Sequence, residues 1–233
     1  MPKIETLLSP NLFDQIENLD QKTVVVIDIL RASTTINAIL NNGANSVQTV
    51  SDVNEAIEYK KQGYLVGGER NGETIEGFDF GNSPLSYSQE IVQGKDIILT
   101  TTNGTKCISM SAKAHTLLVG AFSNLKSTVD FIKSSKNDVV LFCAAWKGRV
   151  NLEDSLYAGA VIEQCSGFLA DDAGLLCLQA YQNEKGRLFE CLKRSNHFQR
   201  LAGFGMEEDI QFCCEIDTMN HVAILKDGKI IRA

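Results

Sequence analysis

Residues 96–110 read DIILTTTNGTKCISM, and how this stretch divides decides the fold. The apolar run DIIL suits a buried strand. Three threonines crowd hydroxyls at its end, Asn103-Gly104 can turn the chain, and Thr105-Lys106 leads into CISMSA, where a helix should begin. A strand giving way to a helix through a polar, glycine-containing turn is the repeating unit of α/β sheets. Working outward, TVVVIDI (23–29), SVQTV (46–50), YLVGG (64–68), TLLVGA (116–121) and DVVLFCAA (138–145) read as further strands, most of them apolar enough to be covered on both faces. VNEAIEYKKQG and NLKSTVDFIKSS between them have the apolar spacing of helices that cover a sheet. The pattern is α/β with much parallel pairing. From about Leu152 onward the expectation is helical, with no strand between NLEDSLYAGAVIEQC, GLLCLQAYQ, RLFECLKR and EEDIQFCCEI. The stretch HVAIL-KDG-KIIRA then closes the chain as a hairpin turned at Asp227-Gly228.

Composition narrows the classes of function. The chain has 233 residues, 44% of them hydrophobic, which is enough for a sizeable core, and nothing in it forces a second domain: one unit over 1–233 is expected. A formal charge of −7 argues against a nucleic-acid surface, which needs clustered Lys and Arg. Seven cysteines inside apolar runs, with no Cys-x-x-Cys pair, fit reduced thiols in a cytoplasm better than a disulfide framework or a zinc site. MPKIETLLSP has no basic segment followed by an apolar one, and no run of about 18 apolar residues occurs, so neither export nor membrane association is expected.

Four polar clusters fall where strands meet helix starts, the rim at which open α/β sheets bind ligands and where helix starts favour anions. In VVVIDILRASTT, Asp28 can ligate a hard cation and Arg31 offers a planar fork to phosphate or carboxylate, although Ser33 capping a helix beside an Asp-Arg pair is an equally ordinary reading. Leu30 stands where an Asp-x-Asp phosphatase would carry its second acid. GGERNGETIEGFDFGNSP packs Glu69, Arg70, Asn71, Glu73, Glu76 and Asp79 into a long glycine-rich stretch that ends in Asn82 and a Ser83-Pro84 helix start. TTTNGTK lacks the glycine spacing of a nucleotide phosphate loop, yet the N–H groups of Gly104, Thr105 and Lys106 could face an oxyanion, with Thr102 and Asn103 beside them; a capped, solvated helix is the alternative. FCAAWKGRVNLEDSLYAGA brings Lys147, Arg149, Glu153 and Asp154, the two acids pointing apart on a helix. Cys143 and Arg149 have the spacing of thiolate phosphatases, but a core cysteine is the better reading of Cys143. His115, His197 and His221 have no metal-ligand spacing and read as structural.

VVVIDILRASTTI, GERNG, GFDFGNSP, TTTNGTK, CAAWKGRVNLEDSLYAG and SNHFQRLAGFGMEEDIQFC, in that order over nearly the whole chain, closely resemble the 2-phosphosulfolactate phosphatase family of the ComB type. The resemblance implies a three-layer α/β/α sandwich with a mostly parallel or mixed sheet, a bound magnesium ion, and hydrolysis of 2-phospho-3-sulfolactate to 3-sulfolactate and phosphate in a coenzyme M type pathway. The positions it carries over are Asp28, Arg31, Ser33, Glu69, Arg70, Asn71, Asp79, Asn82, Thr102, Asn103, Gly104, Lys106, Arg149, Glu153 and Asp154. On chemical grounds Asp28, Arg31, Lys106 and Arg149 are the expected catalytic groups; Ser33, Arg70, Asn71, Asn82, Thr102, Asn103, Gly104 and Lys147 the substrate contacts; and one or two of Asp28, Glu69, Asp79, Glu153 and Asp154 the magnesium ligands, Asp28 and Glu69 first. Water is the first choice of nucleophile, Asp28 the second and Cys143 the last. Two departures from the family pattern stand out, Ala145 for a glycine and Ala223 for a proline, the latter expected to be peripheral. A small anionic phosphate ester is the expected partner. A different 2-hydroxyacid phosphate and a noncatalytic anion-binding protein are the alternatives, and the apolar carboxyl-terminal helices serve either a homodimer contact or cover for the sheet.

Overall fold

The computed structural model describes residues 1–233. Its strands are β1 (Lys3–Leu7), β2 (Thr23–Ile27), β3 (Ser46–Thr49), β4 (Leu65–Arg70), β5 (Glu73–Thr74), β6 (Asp96–Thr100), β7 (Thr116–Gly120), β8 (Val139–Cys143), β9 (Leu169–Ala170), β10 (Ala223–Lys226) and β11 (Lys229–Arg232). Its α-helices are α1 (Ala32–Asn41), α2 (Val53–Lys61), α3 (Gln89–Val92), α4 (Gly104–Met110), α5 (Leu125–Ser135), α6 (Leu152–Gln164), α7 (Asp172–Glu184), α8 (Leu188–Leu192), α9 (Asn196–Ala202) and α10 (Glu207–Cys213). All six apolar runs read as strands are strands. No helix is long and apolar enough to cross a membrane.

The strands form one sheet in the order β5-β4-β6-β3-β11-β10-β7-β2-β8-β1-β9. Pairing is parallel except at β4/β5 and around the β10–β11 hairpin, which runs antiparallel to β3 on one side and β7 on the other. Ala223 is therefore fully buried in mid-sheet, paired with Val119, and the expectation that it is peripheral fails. Two strands escaped the sequence reading. β1 alternates exposed Lys3 and half-buried Glu5 with buried Ile4 and Thr6, so it shows no continuous apolar run. Leu169–Ala170 makes a two-residue edge strand among helices expected to have none between them.

Alternation along the central strands fills two apolar layers, making a three-layer α/β sandwich. Val25, Ile27, Leu118 and Leu141 face α5, α6 and the helices that follow, whereas Val24, Val26, Val119 and Phe142 face α1 and α4. Nine successive residues of α1, Ala32 to Leu40, are buried, so this helix is enclosed on every side, not laid on a surface. The sheet closes around it. β6 and β2 are five strands apart, roughly 24 Å in a flat sheet, yet a Cβ on Gly104, four residues past β6, would lie 2.8 Å from Asp28 Oδ2, just past β2. Strong curvature thus brings the carboxyl ends of β2, β4, β6 and β8 to one rim.

Candidate active site

Asp28 lies in the four-residue step between β2 and α1. Its backbone N–H donates to Ser33 Oγ (2.7 Å), and its carboxylate accepts one long bond, from the Ala32 N–H to Oδ1 (3.4 Å). Burial pushes its carboxyl up to about 6; His197 and the Ala32 N–H oppose the shift, and the charges of Glu69 and Glu153 add to it. Asp28 thus has a single, long protein donor. Glu69, at the end of β4, is committed: Oε1 accepts from Thr102 N–H and Oγ1 (2.9 Å each) and Oε2 from Gly72 N–H (2.7 Å). It thereby ties the β4–β5 turn to the β6–α4 loop. In that loop the Thr105 N–H turns back to Thr101 Oγ1 (3.3 Å), which removes it from the expected set of anion donors; those of Gly104 and Lys106 meet no protein acceptor.

Cations face these acids across the cleft. Arg31 is buried and paired through Nη1 with Asp209 of α10, whose other oxygen accepts from Ser83 Oγ (2.7 Å). After β8 the chain makes a tight reversal in which Trp146 and Arg149 exchange backbone hydrogen bonds (3.0 Å each) across Lys147 and Gly148, both at positive φ, as in primed two-residue hairpin turns. The turn sets Lys147 Nζ 4.7 Å from the centre of the Trp146 ring; the Arg200 guanidinium lies 5.2 Å from the same ring, and the His197 ring stacks on it at 6.2 Å with a 12° tilt. His197 Nδ1 meets Glu153 Oε1 at 2.5 Å, and Glu153 is fully buried with Oε2 unpartnered. Asp28, Glu69, Arg31, Lys147, His197 and Arg200 all line one cleft of about 160 Å³, with Asn71, Asn82, Thr102 and Asn103 completing it.

A family description, 2-phosphosulpholactate phosphatase, matches residues 8–228. The chain belongs to this family. Relatives named probable 2-phosphosulfolactate phosphatase include one from Thermotoga maritima, 40% identical over 90% of this chain and 92% of the relative, and one from Caldanaerobacter subterraneus, 40% identical over 91% and 90%. A third, from Clostridium novyi, is 34% identical over 99% of this chain and the whole of the relative.

Several residues carried over from the family pattern lie outside the cleft. Asp79 binds Lys60 Nζ (2.6 Å) and the Val66 N–H (2.9 Å), fastening the long loop to β4. Arg70 bonds the carbonyls of Glu69 and Ser51 and the Thr100 hydroxyl. Lys106 and Arg149 are exposed and line no part of the cleft. Ser33 serves the Asp28 backbone, and Gly104 serves by close approach. Glu153 and Asp154 do diverge: Asp154 accepts from the N–H groups of Ile29 (2.9 Å) and Ala145 (3.2 Å), which ties it to the backbone that follows β2 and β8. That second bond also holds Ala145 at φ 59°, a conformation that the family's glycine adopts freely. Cys143 is buried, its thiol pushed well up by burial and Asp154, so a thiolate attack has no support. His197, read from the sequence as structural, lines the cleft, and neither Arg200 nor Asp209 is among the expected site residues. All three lie in SNHFQRLAGFGMEEDIQFC, a segment that carried the family resemblance but from which no site residue was taken.

Proposed function

We propose that the protein is a magnesium-dependent phosphatase that hydrolyses 2-phospho-3-sulfolactate to 3-sulfolactate and phosphate. The observation that carries this reading is Asp28: a half-buried carboxylate with a single weak donor, set opposite Arg31, Lys147 and Arg200 in a protein whose net charge is negative. Local cations suit a substrate bearing phosphate, carboxylate and sulfonate, and guanidinium groups match multi-oxygen anions. No group of three or more His, Cys, Asp or Glu side chains converges, so the donor set suits an ion held by one protein carboxylate, substrate oxygens and water, a common arrangement for magnesium. Asp28 fits that role, since it is crowded by like charge and has lone pairs to spare. When bound, such an ion would neutralise charge on the phosphoryl oxygens. The chain's own groups orient the ester. Arg31, fixed by Asp209, offers donors to phosphate, while Lys147 and Arg200 offer charge to the other acidic groups. Water is the attacking group this arrangement favours. The coenzyme M type pathway and a cytoplasmic setting complete the proposal, the latter supported by seven free cysteines, six of them buried.

Phosphate release from 2-phosphosulfolactate, phospholactate and phosphoglycolate, each measured with magnesium and with EDTA, tests the reading. The expected result is magnesium-dependent turnover with phosphosulfolactate preferred. Turnover that favours phospholactate would move the substrate to another 2-hydroxyacid phosphate; tight anion binding without release would leave a noncatalytic protein.

A further inference from the structure

Phosphate monoesters of secondary alcohols have a poor leaving group, so their hydrolysis gains from a proton donor at the bridging oxygen. None of the acids or cations considered above fills that role. The residue placed to do so is His197. Its ring lies on the cleft wall, held flat against Trp146, and its Nδ1 is fixed by a carboxylate that is itself fully buried. Because a carboxylate accepts, Nδ1 carries the proton in that bond, and Nε2, which has no protein partner, is the nitrogen left for the ligand. A buried carboxylate on one ring nitrogen with the other nitrogen free is the arrangement by which imidazoles are oriented for proton transfer.

We propose that His197 is the general acid of the reaction, and that Glu153 is the positioning residue that orients it. The inference rests on the phosphatase reading and assigns it a further catalytic group. As water bonds to phosphorus, the bond from phosphorus to the ester oxygen breaks and its electron pair goes to that oxygen, which takes the Nε2 proton of the doubly protonated imidazolium and leaves a neutral ring whose Nδ1 proton stays hydrogen-bonded to Glu153. The proton shed by the attacking water returns through solvent to Nε2.

The test separates leaving groups. Phospholactate and its 3,3,3-trifluoro analogue carry the same phosphate and carboxylate, but the fluorinated alcohol is far more acidic and needs little help to depart. For the wild-type enzyme the two rates should lie within about tenfold of each other. His197→Gln should lose at least about 100-fold on phospholactate and less than about tenfold on the trifluoro ester. Glu153→Gln should show the same selective loss, smaller in size. Equal losses on both esters in His197→Gln would mean that the ring only supports the cleft, and the assignment of a general acid falls while the phosphatase stands. Should the variants fail to fold, the wild-type ratio still decides: a preference for the trifluoro ester of about 100-fold or more overturns the proposal. A wild-type protein that releases no phosphate from any of these esters sinks the phosphatase reading, and this inference with it.

Discussion

At the scale of the residue, Asp28 is where stability and activity pull apart. An exposed aspartate titrates near 3.8, whereas burial moves this one to about 6. Between those values the folded protein holds a proton that the unfolded chain has released, so stability falls as pH rises through the interval and the deficit persists at neutral pH. Asp28→Asn removes the deficit. In metal-free buffer at pH 8 it should stabilise the fold by on the order of 1–3 kcal/mol, an advantage that shrinks as pH falls below about 6 and is gone near pH 3, while phosphate release is lost. Denaturant midpoints at the two pH values decide the matter; a variant no more stable than the parent at pH 8 would show that Asp28 is not an unrelieved charge. The residue also shows what the sequence disclosed. An acid directly after four apolar strand residues is a readable signal, because strand ends in α/β sheets face the ligand rim. Its partners are not readable in that way: Arg31 finds Asp209 across 178 residues, and no local pattern announces that pairing.

At the scale of the element, the turn into α4 matters more than its polar residues. Sequence suggested a cradle of N–H groups and a lysine, but Lys106 points to solvent and Thr105 is locally satisfied. What survives is Gly104, where an added Cβ would stand 2.7 Å from Ala32 Cβ and 2.8 Å from Asp28 Oδ2. Such separations are too short for real atoms, so Gly104→Ala must push α4 away from α1 and disturb Asp28. A fall of about 10- to 100-fold in kcat/KM is expected, since sub-ångström misplacement at a reacting centre is costly. The far-ultraviolet circular dichroism should be retained. A fully active Gly104→Ala enzyme would show that the close approach has no part in catalysis. Strands with unbroken apolar runs were legible for the same reason that this contact was not: burial on both faces marks each residue of a strand, whereas the approach of two elements depends on how the sheet curls between them. β1 escaped because its exposed Lys3 and half-buried Glu5 interrupt the run. The reversal at Lys147-Gly148 escaped because a lysine at positive φ gives no sequence signal of its own.

At the scale of the whole molecule, the site depends on the β10–β11 hairpin, none of whose residues lines the cleft. One half of the sheet, β5-β4-β6-β3, carries Glu69 and the β6–α4 loop; the other, β7-β2-β8-β1-β9, carries Asp28 and Trp146. Only the hairpin joins them through strand pairing, with Ile230 against Val47 and Ile224 against Leu118. A hairpin at Asp227-Gly228 was legible from the turn residues, but its place between two parallel halves was not, because local sequence carries no information about which edges a strand will meet. Ile230 is fully buried in the layer that also holds α1. Ile230→Asp puts an unpaired charge there, at a cost of several kcal/mol against a total stability of about 5–15 kcal/mol. The expected outcome is loss of cooperative unfolding together with loss of phosphate release. Leu169→Asp, on the exposed edge strand β9, should leave both within about twofold of the parent, since surface substitutions change stability by about 0.5 kcal/mol or less. If Ile230→Asp unfolded cooperatively and kept its activity, the two halves would have to be held in register by α1 and α4 alone, and the hairpin would be a covering element and not the joint of the sheet.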